Sequence, residues 1–320
     1  MKKTTKILIA YDGSACSKAA IEDLKRAGLP DELEALTVSV ADIFIPPGGF
    51  DESPMPATAP MVLIKSKEDA MAILKRAKAV AEGAGKILRT SFPHWRVKID
   101  SFADSPAWGI IRKAQDWQAD LIVVGAHGLS STGRLILGSI AQIVATQAPC
   151  SVRVVHSASN DQESSARIVI AMDGSEFADR ALNEVASRQW KNGTTVHLIT
   201  VLEPRLTSLL AIELEMRKWI HDTDKTELEA MKRLIEAKAE KLRAKGLVVT
   251  YLVKEGDPKK VLLEEAERWG ADSIFVGARG LSGIKHALIG SVSASLAARA
   301  HCTVEIVRKE GREIYGKNEK

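Results

Sequence analysis

The sequence predicts an α/β fold laid down twice: two tandem open-sheet domains, each a five-stranded parallel sheet with helices on both faces. Three observations lead there. Short continuous apolar runs alternate with longer amphipathic stretches, the pattern of strands buried on both faces and joined by crossover helices. The chain has 320 residues, about twice a domain of roughly 100–200 residues. It also repeats itself. Lys6-Ile7-Leu8-Ile9-Ala10-Tyr11-Asp12-Gly13-Ser14 returns as Arg167-Ile168-Val169-Ile170-Ala171-Met172-Asp173-Gly174-Ser175, and Ala119-Asp120-Leu121-Ile122-Val123-Val124-Gly125 returns as Ala271-Asp272-Ser273-Ile274-Phe275-Val276-Gly277. From Leu121 to Val155 the copy lies 152 places on without a gap, and 14 of 35 positions are identical. The first motifs are 161 places apart, so the first copy holds nine more residues between its ends. A period this long excludes a solenoid, whose repeats run ~20–50 residues.

In chain order, residues 6–11 form an apolar strand. Residues 14–27 place Ala15, Ala19, Ala20, Leu24 and Ala27 near helical spacing, with Ser14 as N-cap. Residues 35–40, or 194–201 in the copy, make the second strand. Long amphipathic helices follow over 67–88 and 226–245, the latter stopped by Gly246. The third strands (96–102 and 248–254) lead to Pro106 and Pro258, each placed to open a helix in its first turn. Fourth strands, glycine-marked loops, helices from about Ser139 and Ser291, and last strands over 151–155 and 303–307 complete each copy. The domains are expected at 1–157 and 167–308. A small, polar linker (158–166) joins them and a charged tail (309–320) follows.

Apolar residues make up 45% and charged residues 27%, the proportions of a folded globular chain. This excludes a disordered, collagen-like or disulfide-scaffold protein. No apolar run approaches the ~18 residues of a membrane span, and Met1-Lys2-Lys3-Thr4-Thr5 leads straight into a strand with no signal peptide. Three cysteines, Cys16, Cys150 and Cys302, form no CxxC pair, so the cytoplasm is the expected compartment. The net charge of +4 comes from 45 basic and 41 acidic residues. These are interspersed, with no clear nucleic-acid or membrane signal.

In open α/β sheets, ligands sit outside the carboxyl ends of the strands, where strand order reverses. Asp12 (Asp173) follows strand one. Gly125-Ala126-His127-Gly128 (Gly277-Ala278-Arg279-Gly280) follows strand four, and Gly138-Ser139 (Gly290-Ser291) opens the next helix. Both copies therefore read Gly-x2-Gly-x9-Gly-Ser. Glycines let a backbone approach a phosphate and take positive φ. Helix-start amides attract anions, Ser139 and Ser291 add hydroxyl donors, and a carboxylate after strand one suits a ribose hydroxyl. The same glycines and serines are also what tight turns and helix caps require.

Taken together, Asp-Gly-Ser, Gly-x2-Gly-x9-Gly-Ser and the closing Pro149-Cys150-Ser151-Val152-Arg153-Val154-Val155 resemble the universal stress proteins, in their tandem type. The resemblance implies a five-stranded α/β domain and, in the family's nucleotide-binding branch, ATP at the strand ends, with any Mg2+ held by the phosphates. Carried over by position, the first site comprises Ala10, Asp12, Val40, Gly125, His127, Gly128, Gly138, Ser139 and Ile140. The second comprises Ala171, Asp173, Val201, Gly277, Arg279, Gly280, Gly290, Ser291, Val292 and Ser293. Val40 and Val201 would meet adenine through backbone groups. Ser293 supplies a hydroxyl that the first copy replaces with Ala141, so the second site is expected to bind ATP more tightly. The first copy also carries an insertion, Pro46-Pro47-Gly48-Gly49-Phe50 running to Pro60, readable as a lid, a partner-binding loop or a plain surface insertion.

The implied function is an ATP-binding stress-response or signalling protein, with ATP mainly a regulatory ligand and protein partners unknown. Two alternatives stay open: slow ATP hydrolysis or self-phosphorylation, and a protein-interaction module that binds no nucleotide. No catalytic residue and no metal ligand is assigned. There is no Gly-x4-Gly-Lys-Ser/Thr loop, Gly-x-Ser-x-Gly elbow or His-Glu-x-x-His helix. Cys150 and Cys302 read as buried thiols, and Trp117 and Trp269 as packing residues at the ends of equivalent helices.

Because single domains of this family commonly pair through their last strands, the two copies are expected to form an intramolecular pseudo-dimer, with antiparallel contact between 151–155 and 303–307. Further pairing of whole chains is left open. Covering such edges removes a liability, and a ~10-residue linker places the domains at an effective concentration in the mM range. Small-angle scattering of the dilute chain should then show a single compact particle. A profile of two independently moving domains would overturn the expectation.

Overall fold

The computed structural model of the chain describes residues 4–43, 61–128, 137–156, 164–203, 214–280 and 289–308, without the side chains of 61–66 and 214–228. The insertion at 46–60, most of the linker (158–163) and the tail at 309–320 lie outside the described residues. The chain divides into two compact units, and Asp23–Leu29 is grouped with the second.

The first unit runs β1 (Lys6–Ala10), α1 (Ala15–Asp23), β2 (Glu34–Ala41), α2 (Met61–Ser91), β3 (Arg96–Ala103), α3 (Pro106–Trp117), β4 (Leu121–Gly125), α4 (Ser139–Gln147) and β5 (Ser151–Val155). Its strands stand in the order β3-β2-β1-β4-β5, every neighbour parallel. The second unit runs β6 (Arg167–Met172), α5 (Glu176–Ser187), β7 (Thr195–Leu202), α6 (Leu214–Arg243), β8 (Val248–Glu255), α7 (Pro258–Trp269), β9 (Ser273–Gly277), α8 (Ser291–Arg299) and β10 (Thr303–Val307). Its order, β8-β7-β6-β9-β10, is the same and equally parallel. The α/β class and the five-strand count agree with the sequence.

Burial follows the apolar runs. Ile7, Leu8, Ile9, Ile122 and Val123 are fully buried, as are Ile168, Val169, Ile170, Ile274 and Phe275 in the second unit. Central strands of a parallel sheet have no solvated face, and this is why these segments are continuously apolar. α2 packs on β2 and β3, while α3 and α4 pack on each other; α6 on β7 and β8, and α7 with α8, repeat the arrangement. Pro106 and Pro258 stand in the first turn of their helices. Gly246 takes φ +83° beyond the end of α6. The first helix is shorter than expected: it ends at Asp23 and gives way to a 3-10 turn, Leu24–Arg26.

The repeated Ala-Asp pair has a structural role that periodicity did not show. Asp120 Oδ2 accepts a 2.8 Å hydrogen bond from the Lys6 amide, and Asp272 Oδ2 accepts one of 2.7 Å from the Arg167 amide. Both carboxylates thus satisfy the first amide of a central strand, at the end opposite the candidate site. Lys6 Nζ lies 5.5 Å from the Trp117 ring centre and Arg167 Cζ 4.8 Å from that of Trp269, so the matched tryptophans do serve packing. Cys150 and Cys302 are buried, each 5% exposed. No helix among the described residues is long and apolar enough to cross a membrane.

Glu265 on α7 is 3% exposed. Lys254 Nζ reaches it at 2.9 Å and Arg268 also pairs with it. Burial alone would raise its pKa, but these two cations outweigh that and hold it below the usual carboxylate value. A depressed carboxylate contributes stability above its unfolded pKa of about 4.3 and loses it as pH falls. Glu265→Gln should therefore flatten the fall in urea midpoint between pH 6 and pH 3. An unchanged acid limb would contradict the pairing.

Candidate functional site

The strand order reverses between β1 and β4, and again between β6 and β9. Asp12 and Gly125-Ala126-His127-Gly128 leave the two strands that flank the first reversal; Asp173 and Gly277-Ala278-Arg279-Gly280 leave those flanking the second. Parallel pairing brings both segments to the same edge of each sheet. Asp12 Oδ1 accepts from the Ser14 amide at 2.9 Å, and Asp173 Oδ1 from Ser175 at 2.9 Å. The left-handed turn that makes this possible falls on Gly13 (φ +82°) and Gly174 (φ +81°). Ser14 and Ser175 then cap the next helices, accepting from Ser17 and Ala178 at 3.1 and 3.2 Å.

The six glycines of the Gly-x2-Gly-x9-Gly motifs do not have positive φ, so the conformational reason for them does not hold. Each pair has a different explanation. A Cβ on Gly125 would stand 2.8 Å from the backbone carbon of Cys16, and one on Gly277 would stand 2.5 Å from that of Phe177. These glycines let the first turns of α1 and α5 lie against the strand ends. A Cβ on Gly128 would stand 3.1 Å from Asp12 Oδ2, and one on Gly280 would stand 2.5 Å from Asp173 Oδ2. These make room for the carboxylate. Gly290 is different. Its φ of −78° and ψ of 156° suit any residue, and among the described residues its Cβ would meet no atom nearer than 3.5 Å. Gly138 has a similar backbone, φ −60° and ψ 147°, with Ala126 O at 3.1 Å from the built Cβ.

The loop ends are drawn together by one bond per domain, Gly138 N to Ala126 O at 2.8 Å and Gly290 N to Ala278 O at 2.7 Å. This sets the start of α4 and of α8 beside the glycines that follow β4 and β9. The glycines, and not Ser139 and Ser291, are the N-cap residues, and neither helix start carries a side-chain cap. In the second domain α5 and α7 are capped by Ser175 and Asp257, which makes α8 the uncapped one among the helices whose N-caps are described there. Its first-turn amides are donors without a side-chain acceptor, the arrangement that suits an anion. Ser139 and Ser291 are exposed, and Ile140, on the first turn of α4, is 37% exposed; Val292 is half-buried.

Ala10 and Ala171, each 8% exposed, end their strands beside the aspartates. Val40 and Val201 are half-buried near the ends of β2 and β7, the strands next to β1 and β6. Ser293 departs from expectation. It is 2% exposed, and its Oγ donates to the Gly277 carbonyl at 2.7 Å. That proton ties α8 to the end of β9, so the stated reason for tighter binding by the second copy falls away. Sequence reasoning also passed over the residues that line the site from the first helices and last strands. His127 and His156 meet edge to face, 6.4 Å between ring centres, and Cys16 Sγ lies 3.9 Å from the His156 carbonyl oxygen. In the second domain Phe177 takes the place of Cys16, with Arg180 and Arg279 at 4.9 and 5.7 Å from its ring centre. The signal available was positional: Cys16 and Phe177 stand in register across the repeat.

These contacts separate packing from site. Gly277→Ala should cost about 1–3 kcal/mol by overpacking, whereas Gly290→Ala should stay within about 0.5 kcal/mol of wild type. Urea unfolding of the two variants checks this, and equal losses would show that Gly290 is also a packing residue.

The chain matches the model of the universal stress protein family twice, over residues 3–156 and 165–308. It is 28% identical over 312 residues to a universal stress protein of Mycolicibacterium smegmatis, an alignment that spans 94% of this chain and 96% of that protein. It is 30% identical over 146 residues, 44% of this chain, to the universal stress protein YxiE of Bacillus subtilis, of which 98% is spanned. Among solved structures, a universal stress protein from Archaeoglobus fulgidus superposes with a TM-score of 0.60 at 20% identity, over 97% of this chain and all of that one. A two-copy sequence, the same five-strand order in each copy and a double family match lead to one conclusion: the chain is a tandem member of the universal stress protein family.

Proposed function

We propose that each domain binds an adenine nucleotide, ATP, at the strand-end cleft, and that the nucleotide acts as a regulatory ligand in a stress response. The observation that carries this reading is Gly290. Neither its backbone conformation nor packing by the described residues asks for a glycine there, yet it stands at an uncapped helix start. A phosphate seated on the first-turn amides of α8 accounts for both facts, because it needs the space of the missing side chain and supplies the missing acceptor. The bareness of the α4 start at Gly138 supports the same reading for the first domain.

Within this reading Asp12 and Asp173 face the ribose. One carboxylate oxygen of each is held by the turn, and the other is directed toward Gly128 or Gly280. The backbone at Val40 and Val201 meets the base. A Mg2+ ion would arrive on the phosphates, which offer the oxygen ligands it prefers. The nucleotide-binding branch of the family adds independent support for the ligand class.

Titration calorimetry with ATP tests the site. Gly138→Val and Gly290→Val should each remove one class of sites, and the double variant should bind nothing. Unchanged affinity in the double variant would overturn the proposal. Because the Ser293 hydroxyl is used inside the domain, Ser293→Ala should leave the second-site Kd within about threefold, well short of the ~tenfold that a lost hydrogen bond to a charged group brings. A larger drop would return Ser293 to the phosphate.

A further inference from the structure

The two copies differ most, chemically, at the residue between the first two motif glycines: His127 in the first and Arg279 in the second. We propose that His127 makes the first site bind phosphate more tightly as pH falls through the histidine range, while Arg279 keeps the second site indifferent to pH. The inference rests on the nucleotide reading above.

The geometry around His127 supports it. The ring follows β4 directly, and its Cα lies 3.6 Å from where a Cβ on Gly138 would be, so it borders the start of α4 where phosphate is proposed to sit. Its Nδ1 is shielded from solvent and has no hydrogen-bond partner among the described residues. No described residue accepts a hydrogen bond from that nitrogen, and a phosphate at the start of α4 would bring a negative charge beside His127.

Among the described residues, three other titratable groups lie around this corner. Asp12, after β1, has Oδ1 engaged by the Ser14 amide. Cys16, on α1, directs its sulfur to the His156 carbonyl. His156, after β5, meets His127 edge to face. α4 opens with Ser139, Ile140, Ala141 and Gln142 and brings no charge. In the second domain the matching corner holds Phe177, Arg180 and Arg279, and arginine keeps its charge at every working pH.

The sign follows from linkage. Imidazole is the one unperturbed side chain that gains its charge between pH 8 and pH 5. A charge-assisted bond to phosphate is roughly twice as strong as a neutral one. Binding to the first site should therefore weaken as pH rises, whereas binding to the second should not. ATP's own terminal phosphate titrates in the same range, and the comparison of two sites with one ligand removes that contribution.

The experiment measures ATP affinity by calorimetry from pH 5.5 to pH 8.0 on two full-length variants. Gly290→Val leaves the first site and Gly138→Val leaves the second. The first site should lose about tenfold more affinity than the second across this range, equivalent to about 1.4 kcal/mol. Adding His127→Arg to Gly290→Val, which installs the second domain's residue, should flatten the profile at the high-affinity level. His127→Gln should flatten it at the low one. Parallel profiles for the two sites, or an excess pH dependence that survives His127→Gln, would overturn the inference while leaving nucleotide binding intact. Absence of ATP binding to either variant at any pH would overturn the nucleotide reading, and this inference with it.

Discussion

Parallel pairing governs everything described above. In a parallel sheet every strand ends at the same edge, so five strands deliver five loops to one side of the domain and none of their carboxyl ends to the other. Covering both faces with helices then requires strands without a polar side, which accounts for fully buried runs such as Ile7-Leu8-Ile9 and Ile168-Val169-Ile170. The reversal of order between β1 and β4, and between β6 and β9, separates the crossover helices at that point. The aspartate turn and the glycine loop then face each other across the gap. In open α/β sheets this gap outside the carboxyl ends is where ligands bind, and the candidate site stands there.

Much of this was legible in the sequence. Continuous apolar runs, prolines at helix starts and a long internal repeat each constrain the backbone independently, and they agree. The helix boundaries were less legible. α1 stops at Asp23 although apolar spacing continues to Ala27, because periodicity registers which side chains are buried and not whether the backbone turns by 3.6 or by 3 residues. The glycine motif was legible as a motif and ambiguous in its causes. A missing side chain does not state what it makes room for, and the neighbours concerned, Cys16, Phe177 and the two aspartates, lie far away in the chain. The same blindness applied to Ser293, whose hydroxyl looked like a ligand contact until its acceptor, the Gly277 carbonyl, was placed beside it.

The two domains share a frame and differ in what they present. Glycines at matching positions accommodate Cys16 in one case and Phe177 in the other, so the same close approach of helix to strand end tolerates a small thiol or a ring flanked by arginines. The backbone cradle is common to both copies because it rests on amides and on missing side chains, which a substitution elsewhere does not alter. The charge beside it is carried by side chains, and those are what have diverged.

The paired carboxylates Asp120 and Asp272 close the opposite end of each sheet, binding the first amide of β1 and of β6 beneath a cation held over Trp117 or Trp269. This end shares no residue with the site. The fastening at this end is therefore separate from the candidate site, and changes at the exposed residues of the other edge leave it intact. A gene that duplicates such a unit inherits a scaffold already tolerant of change at its working edge. One copy can acquire a new ligand preference while the other retains the old, without either losing the fastening that keeps it folded.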